Sequence, residues 1–335
     1  MFWASAPLML AALAMARQAE KHLAPDEFGE RNFIVGAQAD HTSGPHIGSC
    51  PVFPKENIWN TAIDKLPKHP ESDAYIESIG PAAKVHADFG GKWGMPFIEI
   101  PAGTPPAKVT FRYSDESDPG RYPIPEGVPI EGGAGDSGDT HILMVDQAKC
   151  VLYEIYKAHQ TGPGQWGAGA GAIFNLKSNE LRKANWTSAD AAGLPIFPGL
   201  VRYDEVESGE IDHALRFTIP HTQAAYVWPA RHKASGNTSL NVPPMGVRFR
   251  LRAGFDLSNY SLANRVILKA LKKYGMFLAD NGSAVFISGL QDSRWDIDDL
   301  HKLGGVTAAD FEAVDESDLQ KSSNSGAVNL SALKP

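Results

Sequence analysis

Cysteine is scarce in this sequence: Cys50 and Cys150 are the two in a chain of 335 residues. Neither lies in a CxxC or Cys/His spacing, which argues against a thiolate zinc site. Basic clusters are missing too. A formal charge of −8 with no stripe of Lys and Arg argues against a nucleic-acid partner. Beyond Ala16 no apolar run reaches bilayer-spanning length, so no membrane span is expected. There is no Gly-x-Ser-x-Gly elbow, HExxH or P-loop. The Gly-rich stretch Gly167–Gly171 opens no helix with a GxGxxG pattern, and no cofactor is expected. Asp292–Asp296 lacks the central Gly and closing Glu of an EF-hand loop, and no metal site is assigned.

What is present is a folding composition. With 43% hydrophobic and 21% charged residues, the chain can bury a sizeable core. Residues 1–16 read as an export segment: an apolar run from Ala4 ends in Ala14-Met15-Ala16, a small-x-small cleavage pattern, although a basic start is lacking. Residues 17–45 are polar and read as a linker or arm. Residues 46–315 form the expected single β-rich domain, and 316–335 a polar, frayed tail. In an exported chain the cysteine pair suggests a Cys50–Cys150 disulfide, two buried free thiols being the alternative.

From Cys50 onward, short apolar runs alternate with Pro and Gly. Val109–Tyr113, Ile142–Val145, Val151–Tyr156, Leu215–Ile219, Ala225–Trp228 and Val247–Leu251 each have the length of a strand. Leu262–Tyr274 instead has helical periodicity, with Ser261 suited to cap its start and Gly275 its end. Its basic face reads as a solvated side. Asn281-Gly282 between two apolar runs predicts a hairpin. Shorter helices are expected at Ser72–Ile79 and Asp296–Leu303. The fold class expected is mainly β, a sandwich or jelly-roll-like single domain with a few accessory helices, one at about 261–275.

Three polar constellations could carry chemistry. The first runs from Gly132-Gly133 to His141. If Asp139–Val145 is a strand, Asp139 and His141 share a face, and a His beside a carboxylate can serve acid–base catalysis or a metal. A self-bonded surface loop is the alternative. The second runs from Trp186-Thr187-Ser188-Ala189-Asp190 to His213 and includes Arg202, Asp204, Glu205, Glu210 and Asp212. Asp204 and Glu205 point to opposite faces if extended, so a catalytic pair would join Asp139 with Glu205 or Asp204 from another strand. The third is Tyr226 to His232, where Trp228 suits sugar stacking or core packing and Arg231 and His232 suit a hydroxylated or acidic ligand.

Cys50-Pro51-Val52-Phe53-Pro54, Asn57-Ile58-Trp59-Asn60 and Gly138-Asp139-Thr140-His141 occur in one order with four further segments. These are Ser188 to Pro195, Asp212 to Phe217, Tyr226 to His232, and Lys273-Tyr274-Gly275-Met276. In these segments the chain resembles a group of secreted bacterial proteins. The resemblance covers most of the chain after residue 45 and implies export and a single long domain. It supplies no activity and no catalytic residue.

The function expected from these features is a secreted carbohydrate-active enzyme, a glycoside hydrolase or lyase, acting on an extracellular polysaccharide. Asp139, His141, Glu205 and His213 are the candidate catalytic residues. Arg231, His232, Trp228 and Asp204 are the candidate substrate-binding residues. The alternatives are a non-catalytic glycan-binding or cell-surface module, and a metal-dependent hydrolase or oxidase using His141, His213 and His232 with a carboxylate.

Overall fold

Short runs of alternating burial, rather than long helices, build this chain. The computed structural model describes residues 44–333 except Lys92. The expected export segment at 1–16, and all but the last two residues of the 17–45 arm, lie outside the described residues. The described part is mainly strands arranged in several sheets, with four short α-helices among the described residues.

A four-stranded sheet lies in the middle, in the order Ala170–Asn175, Val151–Tyr156, Ile142–Asp146, Phe97–Glu99. Side chains of a strand alternate between faces, and here both faces are apolar. Leu143, Val145, Leu152 and Phe174 enter the larger core, whereas Ile142, Met144 and Ile155 enter a smaller one. The smaller core is closed by a second sheet, in the order Arg121–Tyr122, Ala107–Phe111, Gln165–Ala168, His159–Gly162. These two sheets form the sandwich-like part of the fold. The larger core lies against a mixed six-stranded sheet: Phe311–Ala313, Arg248–Leu251, Met276–Asn281, Leu215–Ile219, Phe286–Ile287, His86–Ala87.

The helix Leu262–Lys273 packs near Arg248–Leu251 and buries Val266, Ile267, Leu268 and Leu271. The Ser261 hydroxyl accepts from the Asn264 amide, and Gly275 takes the left-handed conformation after its end (φ 66°). The helix at Ser72–Ile79 has the expected bounds. The Asp296 carboxylate caps the helix at Ile297–His301, which continues as a 3-10 turn over Lys302–Gly305.

Four local expectations are corrected. Asn281-Gly282 does not close a hairpin. The strand Leu215–Ile219 inserts between Met276–Asn281 and Phe286–Ile287 and pairs with both, so the flanking strands never meet. Ala225–Trp228 is not a strand; Pro229, which follows it through a cis peptide bond, has no N–H to extend a ladder. Asp204 and Glu205 are not extended but sit in the first turn of a helix, Tyr203–Ser208. Thr140 has positive φ (43°), so the strand begins at Ile142 and Asp139 and His141 precede it.

The tail at 316–335 is not frayed over its described part. Gln320–Ser322 pairs with Ser325–Val328, and Leu319 and Val328 are buried. Polar side chains from the domain hold this hairpin. Arg231 donates to the Ser323 carbonyl (2.6 Å) and the Asn324 side chain (2.9 Å), and Trp228 Nε1 donates to the Ser325 carbonyl (2.8 Å). Fully buried Arg248 ties Glu316 to the Ile58, Thr61 and Tyr274 carbonyls. A polar composition was thus a poor guide to order, because its partners are buried arginines.

Cys50 and Cys150 form a disulfide, with Cα atoms 5.3 Å apart and a sequence separation of 100. It ties the hairpin formed by His46–Ile47 and Cys50–Pro51 to the turn before Val151–Tyr156. Closing so long a loop restricts the unfolded chain. The double variant Cys50→Ser/Cys150→Ser is expected to lose about 4 kcal/mol of unfolding free energy, read by denaturant titration. A loss below about 1 kcal/mol would show that the bridge is not a principal constraint.

Candidate active site

Five carboxylates, from Glu131, Asp139, Glu154, Asp190 and Asp280, gather around two cations, His141 and Arg216. Too few positive charges are present to balance them, and this imbalance sets the chemistry. Arg216 projects from the buried strand Leu215–Ile219 and holds Asp190 through Nε (2.8 Å) and Nη2 (2.6 Å). Its Nη1 donates to the Ser288 hydroxyl. Both Arg216 and Asp190 are buried, so each charge depends on the other.

His141 is the second cation. Its Nδ1 lies 2.5 Å from Glu131 and its Nε2 3.1 Å from the Ala189 carbonyl. Both ring nitrogens therefore face acceptors, and only the imidazolium can donate to both. Burial opposes this charge, but the Glu131 carboxylate outweighs it and raises the His141 pKa to about 9. Glu131, raised by burial but lowered more by its bond to His141, ends below its ordinary value.

Glu154, Asp139 and Asp280 remain. Glu154 is fully buried and accepts from the Ile196 and Phe197 amides, and burial raises its pKa to about 7 despite those bonds. It lines neither cavity described below. Asp280, at the end of Met276–Asn281, is half-buried and reaches the surface of a cleft. Burial, followed by the negative charge of Asp190, raises its pKa to about 7 against the opposing pull of Arg216.

The cleft consists of two adjoining cavities of about 550 and 410 Å³, and both are lined by Asp139, Asp280 and Asn281. Trp93 and Phe286 line the first and Tyr113 the second. Among the described residues these are the most open aromatic side chains, with Trp93 64% exposed. Tyr156 lies beside the junction, its ring centre 5.6 Å from that of His141. Burial and the Asp139 and Asp280 charges raise its pKa. His232 lines the second cavity, with Nδ1 2.9 Å from the Ala191 carbonyl and Nε2 3.6 Å from Glu116.

Of the residues expected from sequence, Asp139, His141 and His232 thus meet at the cleft. The others are elsewhere. Glu205 is held by Arg202 and by His213 (3.1 Å), which is itself fully buried with Nδ1 on the Ala214 carbonyl. Arg202 and His213 keep the Glu205 carboxyl below its ordinary pKa despite its burial. Neither Glu205 nor His213 lines the cleft. Asp204 is on the open surface, paired with Arg294 (2.7 Å). Arg231 donates to the Arg182 carbonyl through Nε and to the C-terminal hairpin through both Nη atoms, and Trp228 donates to the same hairpin. His141, His213 and His232 do not converge, and no group of three or more His, Cys, Asp or Glu among the described residues is placed to hold a metal.

Glu131, Arg216, Tyr156 and Asp280 were not singled out from sequence, and Asp190 entered only as one member of the second polar constellation, with no role given to it. Arg216 had a readable signal, an arginine between Leu215 and Phe217 in an apolar strand, which demands a buried partner. Asp280 had a weaker one, a carboxylate directly following Met276–Ala279.

The cluster, together with Glu316 beside Arg248, makes stability depend on pH. Asp280, Glu154 and Glu316 have folded pKa values near 7, above those of the unfolded chain. The folded protein therefore binds more protons, and stability falls as pH rises from about 4 to 7. The His141 contribution is complete below about 6.5 and is lost as pH rises through 9. Melting temperature is therefore expected to fall between mildly acidic pH and pH 9, with the lower part of the fall shallower in Asp280→Asn. A melting temperature rising across this range would contradict the assigned charge states.

Comparison with known proteins gives no match to this chain, whether with family models, curated proteins or solved structures.

Proposed function

We propose that the chain is an exported glycoside hydrolase that cleaves an extracellular polysaccharide across the Asp139–Asp280 junction. The observation that carries this reading is that two carboxyl groups, half-buried Asp280 and exposed Asp139, line the same two cavities, with burial and the Asp190 charge raising the Asp280 pKa to about 7. Glycosidic hydrolysis needs that division of labour: one carboxyl donates a proton to the leaving oxygen while the other activates water or attacks carbon. Asp280 is the donor and Asp139 the second carboxylate. Aromatic side chains in both cavities suit the apolar faces of sugar rings, and the two adjoining cavities suit a chain passing over the junction. The disulfide favours an oxidising compartment, and no helix among the described residues is long and apolar enough to cross a membrane.

Charge favours hydrolysis over elimination. Elimination removes a proton beside a uronate carboxylate and calls for a cation to neutralise it. At this junction His141 and Arg216 are already committed to Glu131 and Asp190. A uronate placed there would instead meet Asp139 and Asp280. The exposed aromatics also fit a non-catalytic glycan-binding module, which would bind a polysaccharide without turnover.

A panel of plant and microbial polysaccharides tests the reading through release of reducing ends. Asp280→Asn and Asp139→Asn are each expected to lower kcat by a factor of about 10² to 10⁴. Wild-type activity should decline above about pH 7 as Asp280 loses its proton. Absence of new reducing ends from every polymer, or full activity in Asp280→Asn, would overturn the assignment. Binding without turnover would support the glycan-binding module.

A further inference from the structure

A third cavity, of about 480 Å³, adjoins the cleft and differs from it in charge. It is lined by Lys84, His86, Phe286 and His301 together with Val85, Ala87 and Gly304, and no carboxylate belongs to its lining. His86 and Phe286 also line the first cleft cavity, so these two rings form the wall between the two spaces. The wall is rigid. His86 and Phe286 are register partners in parallel strands, and their rings stack with centres 4.0 Å apart and planes 20° from parallel. The His301 ring lies 5.8 Å from that of His86, and its Nε2 is 3.7 Å from Asp88, which lines the neighbouring cleft cavity.

We infer that this cavity is a distal subsite that receives a sugar unit carrying a carboxylate. The inference rests on reading the adjoining cleft as a polysaccharide track. The Phe286 ring, 37% exposed, offers an apolar surface to the sugar ring. Lys84, His86 and His301 offer a cation and two imidazoles to the carboxylate. The sugars at the Asp139–Asp280 junction, by contrast, are neutral, because carboxylates line that space. The substrate is therefore a polymer in which acidic units occur away from the bond that is cut.

The test is binding, read separately from hydrolysis. Asp280→Asn protein is titrated at mildly acidic pH with oligogalacturonate, with its carboxyl-reduced counterpart and with sodium sulfate. The imidazole Cε1 proton resonances are followed and assigned with His86→Ala and His301→Ala. Oligogalacturonate is expected to shift the His86 and His301 signals saturably, and the reduced oligosaccharide and sulfate are not. Lys84→Ala combined with His301→Ala should weaken oligogalacturonate binding at least about tenfold, the loss of one to two charge-assisted contacts. No shift of either histidine, or equal shifts with the reduced oligosaccharide or with sulfate, would overturn the subsite. Hydrolysis of a neutral polysaccharide without these shifts counts against the subsite alone. The shifts without hydrolysis of any polymer count against the hydrolase alone.

Discussion

Arg216 and Asp190 meet in a two-bond contact from which water is excluded, and their position decides much of what surrounds them. Arg216 belongs to a strand with neighbours on both sides, Asp190 to the loop before the Ile196 turn, and Ser288 to the chain beyond Phe286–Ile287. One guanidinium thus fixes three segments. A buried pair of this kind adds little net stability against an apolar substitute, but losing one partner strands a charge in the core. Its larger consequence is electrostatic. Asp190 is a fixed negative charge near Asp280, and Arg216 is too fully engaged to neutralise both.

The same logic governs His141. In isolation a histidine near a carboxylate suggests a general base, but a base needs a free lone pair. Here both ring nitrogens face acceptors, so His141 serves as a fixed positive charge beneath the cleft. In the proposed hydrolysis the mobile proton is assigned instead to Asp280, whose pKa burial and the Asp190 charge raise. Protein charge thus acts at two depths: paired ions form the floor, and the unbalanced carboxyl lies at the surface where a ligand can reach it.

Much of the architecture was legible because it follows from local rules. Strand lengths at Val151–Tyr156 and Leu215–Ile219, the Ser261 and Gly275 helix ends and the lone cysteine pair each depend on neighbours in sequence or on a single possible partner. The site was legible only in part. Asp139 and His141 stood out as a polar pair, but their essential partners, Glu131, Asp190 and Asp280, come from separate loops and a strand end. Asp280-Asn281-Gly282 read as turn chemistry, and only the insertion of Leu215–Ile219 between its flanking strands shows otherwise. Glu205 and His213 misled for the opposite reason. They do form an acid–imidazole contact, but they form it inside the core with Arg202. Spacing along a chain reveals which groups can pair, and burial decides whether a ligand can reach them.

The charge state of Asp280 is where fold and proposed chemistry meet. It can be measured directly by following its side-chain carboxyl carbon by NMR across a pH titration, assigned by comparison with Asp280→Asn. A midpoint near 7 is expected, because burial and the Asp190 charge raise the Asp280 pKa. A midpoint near 4, the ordinary carboxylate value, would show that the cleft holds no proton donor at neutral pH and would contradict the assignment of Asp280.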